Sequence, residues 1–577
     1  MSSYTGNSSS LSKWQLALVV GAPVAFGLGY LCYRNYVNDK PKDEEHAKAL
    51  KRNNVFSSSV DGDDEKSSSI AKPTVAEKPT ARSDVFKTEG NKLFQSGKFD
   101  EAIEQYNQAI EACPPECIEE LATYYQNRAA AYEKLQKYSS VKADCNKALE
   151  LKPKYVKALV RRAKALEHFD DLVTALEDIS AACILERFGN PTTVGMADKI
   201  LRALGAKHTE EYVKTRKPVM PSKYFIRTYF SAFQHDPITS AINEQSNKED
   251  LTSYEEALKA VKNQNYDDVI PLCTKALNNL EAENDSIHKL KILLLRGTFN
   301  LLLGMYEDAL SDLSSVINSD VTSKELKVNA LIKRASMHVQ LEQPEKSFDD
   351  FAQAVELDPD CSDIYHNRGQ VNLLSEKIEE AKADFDKAVE LNPDFGVAFV
   401  QKCYTDYRNS VTLRDINMIQ ESIENFNNAC TKFPDCAECF NLYAQVLADT
   451  NDFPKADMYF EKAANKDPKN ATILVQRGLL HLQWKNDFNL AINLIKKAIE
   501  IDDKCEFAYE TLGTIEVQRG NLEYAIELFE KALALGRTNM ELSHLFSLRD
   551  ASKAQLSVGL RLGVDLKSTL DTRGFMA

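Results

Sequence analysis

The chain has 577 residues, a formal net charge of −15, 43% hydrophobic and 27% charged residues. This apolar fraction is enough for a packed core and excludes wholesale disorder, while the small numbers of Gly (21) and Pro (18) argue against collagen-like and many-turned β architectures. Twelve cysteines are too dilute for a disulfide scaffold, and the acidic balance argues against a general nucleic-acid-binding protein.

The first predicted element is a membrane span at residues 14–33. These residues read WQLALVVGAPVAFGLGYLCY without a charge, and a helix of that length reaches about 30 Å, the thickness of a bilayer's hydrocarbon core. Basic residues are more numerous after the span than before it, which predicts that residues 1–13 cross the membrane and that the long C-terminal part stays in the cytosol. A cleaved signal peptide is the alternative, but no A-x-A cleavage site follows. We therefore predict an uncleaved signal anchor.

The next region is a polar stretch, and a repeat begins after it. Residues 38–82 are rich in Lys, Asp, Glu and Ser and lack an amphipathic period, so we predict a solvated tether. From residue 83 onward, the sequence repeats at a period near 34 residues, with a small residue followed by small, bulky and Ala residues 12, 16 and 19 positions later. The copies begin at Gly90, Ala129, Ala163, Ala257, Gly297, Ala335, Gly369, Cys403, Ala444, Gly478 and Gly513.

This pattern resembles the tetratricopeptide repeat (TPR), a helix–turn–helix unit in which small residues stand where two helices cross. It predicts an all-α TPR superhelical solenoid of about eleven helical hairpins with a concave groove, joined to one N-terminal transmembrane helix. We predict a three-repeat array at 83–185, a connector at 186–250, an eight-repeat array at 251–541 and a C-terminal cap at 542–577. About seven extra residues within 408–417 predict a lengthened hairpin loop.

The inward positions of the first three hairpins are basic and amide residues. The first helix of a TPR hairpin lines the groove, and its inward positions here are Lys87, Asn91, Asn127, Lys157 and Arg161. Three cations and two amides on one surface suit a peptide with several carboxylates, above all one that ends in a free C-terminus. No acidic residue occupies these positions, so the sequence predicts a local basic pocket in an acidic protein.

The first repeat, KTEGNKLFQSGKFDEAIEQYNQAIE, resembles that of the carboxylate-clamp TPR domains. The resemblance implies that the chain docks the acidic C-terminal tails of the 70- and 90-kDa heat-shock chaperones. It also implies that the first Lys and the two amides hold the terminal carboxylate, while Lys157 and Arg161 meet the preceding acidic side chains. With one more cation on the second hairpin, the predicted chaperone-tail site comprises Lys87, Asn91, Asn127, Lys157, Arg161 and Lys134.

A wider likeness covers nearly the whole chain. The segments LSKWQLALVVGAP, KPKYVKALVRRAKALE and PSKYFIRTYFSAFQHDPI resemble the large TPR receptors (70-kDa subunits) of the mitochondrial outer-membrane protein translocase, in their animal form. The resemblance implies a single-pass outer-membrane protein with residues 1–13 in the intermembrane space. It further implies that the protein receives preproteins with internal targeting signals, notably carrier proteins, and transfers them to the translocation pore together with other translocase subunits.

The inward positions of the eight C-terminal hairpins form a mixed, weakly charged surface. Such a surface suits many extended or partly unfolded apolar segments at modest affinity, and we interpret it as a preprotein groove. Polar helix faces without a ligand are the alternative for any single residue. The predicted groove residues are Asn367, Gln370, Gln401, Tyr404, Gln445 and Gln476, with Lys333, Thr514 and Phe399 beside them.

No catalytic, metal or cofactor site is predicted. The motifs GxxxxGK[ST], GxSxG, GxGxxG and HExxH do not occur, and the repeats leave no stretch for a catalytic domain, so we do not expect an enzyme. The cysteines of CPPEC (113–117) and CTKFPDCAEC (430–439) lack the four ligands that zinc requires, and we interpret them as incidental thiols. Two alternatives remain open: a chaperone adaptor or scaffold on the endoplasmic reticulum, and a TPR-tethered enzyme with a further globular domain.

Overall fold

The computed structural model describes residues 81–243, 252–279 and 286–563, and every regular element in these ranges is a helix. This confirms the prediction of an all-α TPR array. None of the described helices is both long and apolar enough to cross a membrane. The predicted span, the tether and the last residues of the predicted cap lie outside the described residues.

The first three hairpins follow one another without interruption. Small residues at the helix crossings allow each pair to pack closely: Ala102, Ala129 and Ala163 are fully buried. Bulky residues fill the remaining gaps, as Tyr106 does beside Gly90. The helices are α1 (Ala81–Gln95), α2 (Phe99–Glu111), α3 (Ile118–Lys134), α4 (Tyr138–Leu151), α5 (Val156–His168) and α6 (Leu172–Leu185).

Three connector helices separate these hairpins from eight further ones. The connector comprises α7 (Pro191–Thr215), α8 (Lys223–Ser231) and α9 (Pro237–Asn243). The next four hairpins are α10 (Ser253–Lys262) with α11 (Val269–Asn278), α12 (Ser286–Leu303) with α13 (Tyr306–Asn318), α14 (Lys324–Gln340) with α15 (Pro344–Leu357), and α16 (Ser362–Leu374) with α17 (Ile378–Leu391). The last four are α18 (Gly396–Leu413) with α19 (Ile416–Lys432), α20 (Ala437–Asp449) with α21 (Phe453–Lys466), α22 (Ala471–Lys485) with α23 (Phe488–Ile501), and α24 (Glu506–Gln518) with α25 (Leu522–Leu535); α26 (Asn539–Leu562) follows them.

Every hairpin turns through one residue in the left-handed region. Gly97, Gly304 and Gly520 occupy this place in three hairpins, where glycine carries no steric penalty. In the other eight, a side-chain-bearing residue takes the positive φ at a cost of about 1–2 kcal/mol: Gln136, Asp170, Gln264, Glu342, Glu376, Arg414, Asn451 and Asn486. The recurrence shows that the crossing of the two helices, and not the loop sequence, determines the turn.

The hairpin with extra residues differs from the sequence prediction. Its helices α18 and α19 contain 18 and 17 residues and are separated only by Arg414 and Asp415, so the prediction of a lengthened loop was wrong. The additional residues continue the helical hydrogen bonding. Asp415 then caps α19 by accepting the backbone N–H groups of Asn417 and Met418.

Five hairpins contain an ion pair that the sequence analysis overlooked. An Arg just before the small residue of the first helix forms two hydrogen bonds with an Asp 16 residues later, on the second helix. A third nitrogen reaches the preceding hairpin in most of them, as from Arg334 to Ser314. The recurring R-x15-D spacing was visible in the sequence. The pairs are Arg128–Asp144, Arg162–Asp178, Arg296–Asp312, Arg334–Asp350 and Arg368–Asp384.

The chain divides into two compact units. Of the described residues, the smaller unit contains 81–209, 516–526 and 546–563, and the larger one contains 210–515 and 527–545. Within the smaller unit, the last part of α26 packs on the third hairpin, where Val558 and Leu562 join the apolar cluster of Leu159 and Ile184. The C-terminal helix therefore covers the exposed end of the first array.

Candidate functional site

The first hairpin holds Asn91 in one orientation. Gly90 lies against the ring of Tyr106, and a Cβ at this position would come within 2.7 Å of that ring. This close approach allows the Tyr106 hydroxyl to donate to Asn91 Oδ1 at 2.8 Å. Burial raises the pKa of Tyr106 to about 12, so its hydroxyl keeps its proton at neutral pH and Asn91 accepts.

Asn127 joins the same hydrogen-bond group from α3. Its Nδ2 donates to Asn91 Oδ1 at 3.2 Å, so that one oxygen accepts from two donors. The Asn91 Nδ2 has no hydrogen-bond partner among the described residues. It can donate to an incoming acceptor, and a carboxylate accepts hydrogen bonds only. The structure thus brings together the two amides that the sequence predicted for the terminal carboxylate.

Lys87 lies one helical turn before Asn91 and is already paired with an acidic residue. Its Nζ is 2.8 Å from Asp84 Oδ1, and about 30% of its side chain is exposed. The ammonium also lies 6.0 Å from the centre of the Tyr124 ring, whose hydroxyl donates to Asp84 as well. Lys87 is therefore placed next to the amides, but in the unliganded protein its charge is balanced by its own chain.

Arg161, on α5, is likewise paired with an acidic residue of the same chain. Its Nε donates to Glu133 Oε2 at 2.7 Å, and the two side chains are only 19% and 24% exposed. Burial alone would raise the pKa of Glu133, but the hydrogen bond and charge of Arg161, together with Lys164, hold it below its usual value. Arg161 Nη1 also donates to the backbone oxygen of Gln126. A ligand carboxylate that binds Arg161 through Nε must therefore replace Glu133.

The remaining predicted cations, Lys157 and Lys134, are exposed. Neither makes an ion pair or hydrogen bond with any residue in the described ranges, so both are free to move toward a ligand. Asp84 and Glu133 lie outside the inward positions, and we therefore did not predict them as counter-charges. Asp84 was discoverable, because it precedes Lys87 by three residues on one helix face, but Glu133 is 28 residues from Arg161.

In the larger unit, the connector contacts the inward residues of the C-terminal hairpins. The backbone N–H groups of Gln234 and His235 donate to Asp363 at 2.9–3.0 Å. Asp236 then binds Lys333 Nζ at 2.8 Å, and both side chains are 0% exposed. Lys333 is thus enclosed by the chain itself, which corrects the expectation that it faces a ligand groove.

The other predicted groove residues form a row of mostly buried polar side chains. Asn367, Gln370 and Gln401 are completely buried, Tyr404 and Gln476 nearly so, and Gln445 partly. Thr514 donates to a backbone oxygen of its own helix, and Phe399 packs on Phe433. The structure buries five of the six predicted groove residues inside the array, while Gln445, Thr514 and Phe399 stay partly exposed.

Several of these buried amides have polar atoms without a hydrogen-bond partner among the described residues. Asn367 Oδ1, Gln370 Oε1 and the polar side-chain atoms of Gln445 and Gln476 are buried without a partner in the described part of the chain. A buried polar atom left unpaired costs about 1–3 kcal/mol, and native proteins contain a few of them per 100 residues. These amide atoms would therefore gain from an incoming hydrogen-bonding group.

No group of three or more His, Cys, Asp or Glu side chains in the described residues is arranged to hold a metal ion. The cysteines in the described ranges are free thiols.

Both the single repeats and the whole chain are similar to known proteins. Residues 90–136 match the family described as TPR repeat, and residues 122–155, 328–361 and 362–395 match families described as tetratricopeptide repeat. Mitochondrial import receptor subunit TOM70 of Homo sapiens is 43% identical, covering 96% of this chain and 93% of that protein, and that of Rattus norvegicus is 42% identical over the same shares.

A solved structure also aligns with much of the chain. The crystal structure of the yeast Tom70 has 26% sequence identity and covers 83% of this chain and 96% of that one, with a TM-score of 0.48. The animal relatives are import receptor subunits, which agrees with the prediction of a non-enzymatic protein. On the sequence identity and coverage of these relatives, the chain belongs to the TOM70 family of mitochondrial import receptor subunits.

Proposed function

We propose that this import receptor docks the 70- and 90-kDa heat-shock chaperones by their acidic C-terminal tails and receives the preproteins they carry. The observation that supports this most strongly is the meeting of Lys87, Asn91 and Asn127 in one part of the first two hairpins, with Arg161 on the third. To a ligand they offer the N–H donors of two amides and the positive charges of Lys87 and Arg161. Their chemistry fits a chain end with several carboxylates.

The proposed binding exchanges internal ion pairs for ligand ion pairs. The terminal carboxylate accepts from the Asn91 and Asn127 amides and from Lys87, while an upstream acidic side chain takes Arg161 from Glu133. Hydrogen bonds to charged groups contribute about 1.5–3 kcal/mol each. Because each ligand bond replaces an internal one, the net gain in binding free energy is only the difference between the two. A net affinity near micromolar, about −8 kcal/mol, follows from several such contacts.

The test is a calorimetric titration of the full chain with an acidic C-terminal peptide. We expect Arg161→Ala to weaken binding severalfold, because the lost ligand bond of about 1.5–3 kcal/mol is partly offset by the pair with Glu133 that no longer has to be broken. Lys164→Ala is the matched control: it lies on the same helix and also contacts Glu133, at 3.2 Å, but it is not a predicted ligand contact. Equal affinities of the two variants would remove Arg161 from the site.

We further propose that preproteins with internal targeting signals, notably carriers, bind the larger unit before transfer to the translocation pore. The support is a set of buried amide atoms without a partner among the described residues, which includes Gln370 Oε1 and both polar side-chain atoms of Gln476. In a titration with apolar precursor segments, Gln476→Leu should weaken binding while Arg161→Ala leaves it unchanged. An effect of Arg161→Ala on both ligand classes would contradict two separate sites.

The proposed localisation is the mitochondrial outer membrane. Residues 14–33 would form the single membrane anchor, with residues 1–13 in the intermembrane space and the rest of the chain in the cytosol. The family assignment favours this membrane over the endoplasmic reticulum. Imaging a fusion of residues 1–60 to a fluorescent reporter tests it. A reticular signal would contradict the proposed anchor, and protease protection of the reporter would contradict its orientation.

A further inference from the structure

Two cysteines at the beginning of α20 form a pair that the receptor function does not use. Cys436 is the N-cap residue of this helix, with φ −83° and ψ 99°, and Cys439 follows three residues later in the first turn. The Cys439 backbone N–H donates to the Cys436 backbone oxygen at 3.1 Å. The helix start therefore holds the two residues side by side, with Cys436 partly exposed and Cys439 fully buried.

The first turn of α20 also surrounds the Cys436 sulfur with donors. These donors are the Cys439 thiol and the backbone N–H groups of Cys439 and Glu438. The Cys439 thiol lowers the pKa of Cys436, burial opposes this, and the two backbone N–H groups lower it further. Thiolates are stabilised in this way at helix N-termini and in Cys-x-x-Cys pairs. Cys439, in contrast, has its pKa raised beside Cys436.

A second helix of the same chain, α16, also begins with a cysteine and allows a direct comparison. Cys361 is the N-cap residue of α16, with φ −82° and ψ 109°, and it too is partly exposed. The residue three positions later is Ile364, whose backbone N–H donates to the Cys361 oxygen at 3.2 Å. Burial raises the pKa of Cys361 to about 11. The two helix starts share their backbone and differ in the second thiol, so the helix N-terminus alone does not activate a cysteine here.

We propose that Cys436 and Cys439 are a peroxide-sensitive dithiol, in which Cys436 is the attacking thiol and Cys439 resolves it into an intramolecular disulfide. The Cys436 thiolate attacks one oxygen of hydrogen peroxide, the O–O bond breaks, and the departing oxygen leaves as water after taking a proton. The resulting Cys436 sulfenic acid is attacked by Cys439, which forms the S–S bond and expels the second oxygen as water with the Cys439 proton.

The reaction balances without any group that the protein lacks. Two thiols lose two electrons and two protons, and one peroxide gains them and becomes two waters. Small thiols of the glutathione class reverse it by exchange, since two of them become oxidised as the protein disulfide opens. The same cysteines do not belong to a metal site, because no group of three or more potential ligands in the described ranges could hold an ion.

The buried thiol is suited to the resolving step and not to the first one. Cys439 is 0% exposed, and its Sγ is directed to the backbone oxygen of Gly396 at 3.9 Å. Peroxide in solution therefore meets Cys436 first. Disulfide formation turns the Cys439 sulfur from Gly396 toward Cys436, a small rotation within one helical turn.

The test uses the full chain and needs no variant. After exposure to hydrogen peroxide, free thiols are alkylated, and trypsin releases residues 433–455, which contain Cys436 and Cys439 and no other cysteine. We expect this peptide to lose two hydrogens and to resist alkylation until a reductant is added. Cys361, in residues 347–368, should oxidise at least about tenfold more slowly, because one pKa unit changes the thiolate fraction about tenfold.

Two variants assign the roles. Cys439→Ser should stop disulfide formation and leave Cys436 as a sulfenic acid or a mixed disulfide, whereas Cys436→Ser should make the peptide unreactive. Equal oxidation rates at Cys436 and Cys361 in the unaltered chain would overturn the proposal. It would also be overturned if residues 433–455 accumulated the singly oxidised or over-oxidised thiol without a disulfide. Both of these outcomes are measured in the unaltered protein and do not depend on how the variants fold.

Discussion

Replacing Glu133 by Gln should tighten the binding of acidic peptides while destabilising the free protein. Glu133 accepts from Arg161 at 2.7 Å, and both side chains are about one-fifth exposed. The proposed ligand carboxylate has to take Arg161 from this partner. Because Gln has nearly the same shape but no charge, the exchange becomes easier and the guanidinium stays in place.

The magnitude follows from the exposure of the pair. Fully exposed pairs contribute about 0–1 kcal/mol and hydrogen bonds to charged groups about 1.5–3 kcal/mol, so a pair at this depth is worth about 1 kcal/mol. Lys164 contacts Glu133 at 3.2 Å, so Glu133 keeps a cation when a ligand takes Arg161. We expect Glu133→Gln to lower Kd about fivefold and to lower the free energy of unfolding of the smaller unit by about 1 kcal/mol.

The assay is a calorimetric titration with an acidic C-terminal peptide, paired with chemical denaturation of each variant. Glu150→Gln is the control for net charge, because Glu150 pairs with Lys147 on the exposed side of α4. It should change Kd little, and only through long-range attraction that salt suppresses. Weaker binding by Glu133→Gln would refute the reasoning, since it would mean that Glu133 orients Arg161 for the ligand and does not compete with it.

Three further predictions concern charge pairs that stabilise the fold. Arg334→Met should lower the free energy of unfolding by about 3–5 kcal/mol, because Asp350 keeps a buried charge without its bidentate partner; in denaturant titrations, adding Asp350→Leu should restore most of the loss, and no recovery would contradict the explanation. Lys333→Met should have a similar effect of about 3–5 kcal/mol through Asp236, with partial recovery on adding Asp236→Asn. Because the folded-state pKa of Glu133 is lowered, its stabilisation is present above the unfolded-state pKa of about 4 and is lost as the pH falls through the folded value; the stability difference between the wild type and Glu133→Gln should therefore shrink in acid, and a pH-independent difference would contradict it.

The repeat architecture was predictable because it depends on local pattern. Small residues such as Ala102, Gly369 and Ala456 are needed wherever two helices cross closely, and their spacing identifies each hairpin without knowledge of the fold. The meeting of Asn91 with Asn127 follows from the same register. Once the repeats are aligned, the inward positions of neighbouring first helices must lie beside one another.

What the sequence analysis missed depends on contacts between distant segments. Glu133 reaches Arg161 from outside the inward positions, so counting charges at those positions gave a pocket more basic than the one in the structure. The enclosure of Lys333 depends on Asp236 in a connector that has no repeat register. The Arg–Asp pairs are different: their constant spacing was present in the sequence, but its meaning required knowing that the second helix returns antiparallel to the first.

The most direct test of the central claim compares two peptides that differ only in the chemical group at the C-terminus. An acidic tail with a free C-terminal carboxylate and the same tail ending in an amide are titrated into the full chain. We expect the amidated peptide to bind at least about tenfold more weakly, because Lys87, Asn91 and Asn127 offer positive charge and N–H donors to a terminal carboxylate. Equal affinities would contradict it, since the basic side chains would then be binding an acidic peptide without holding its end.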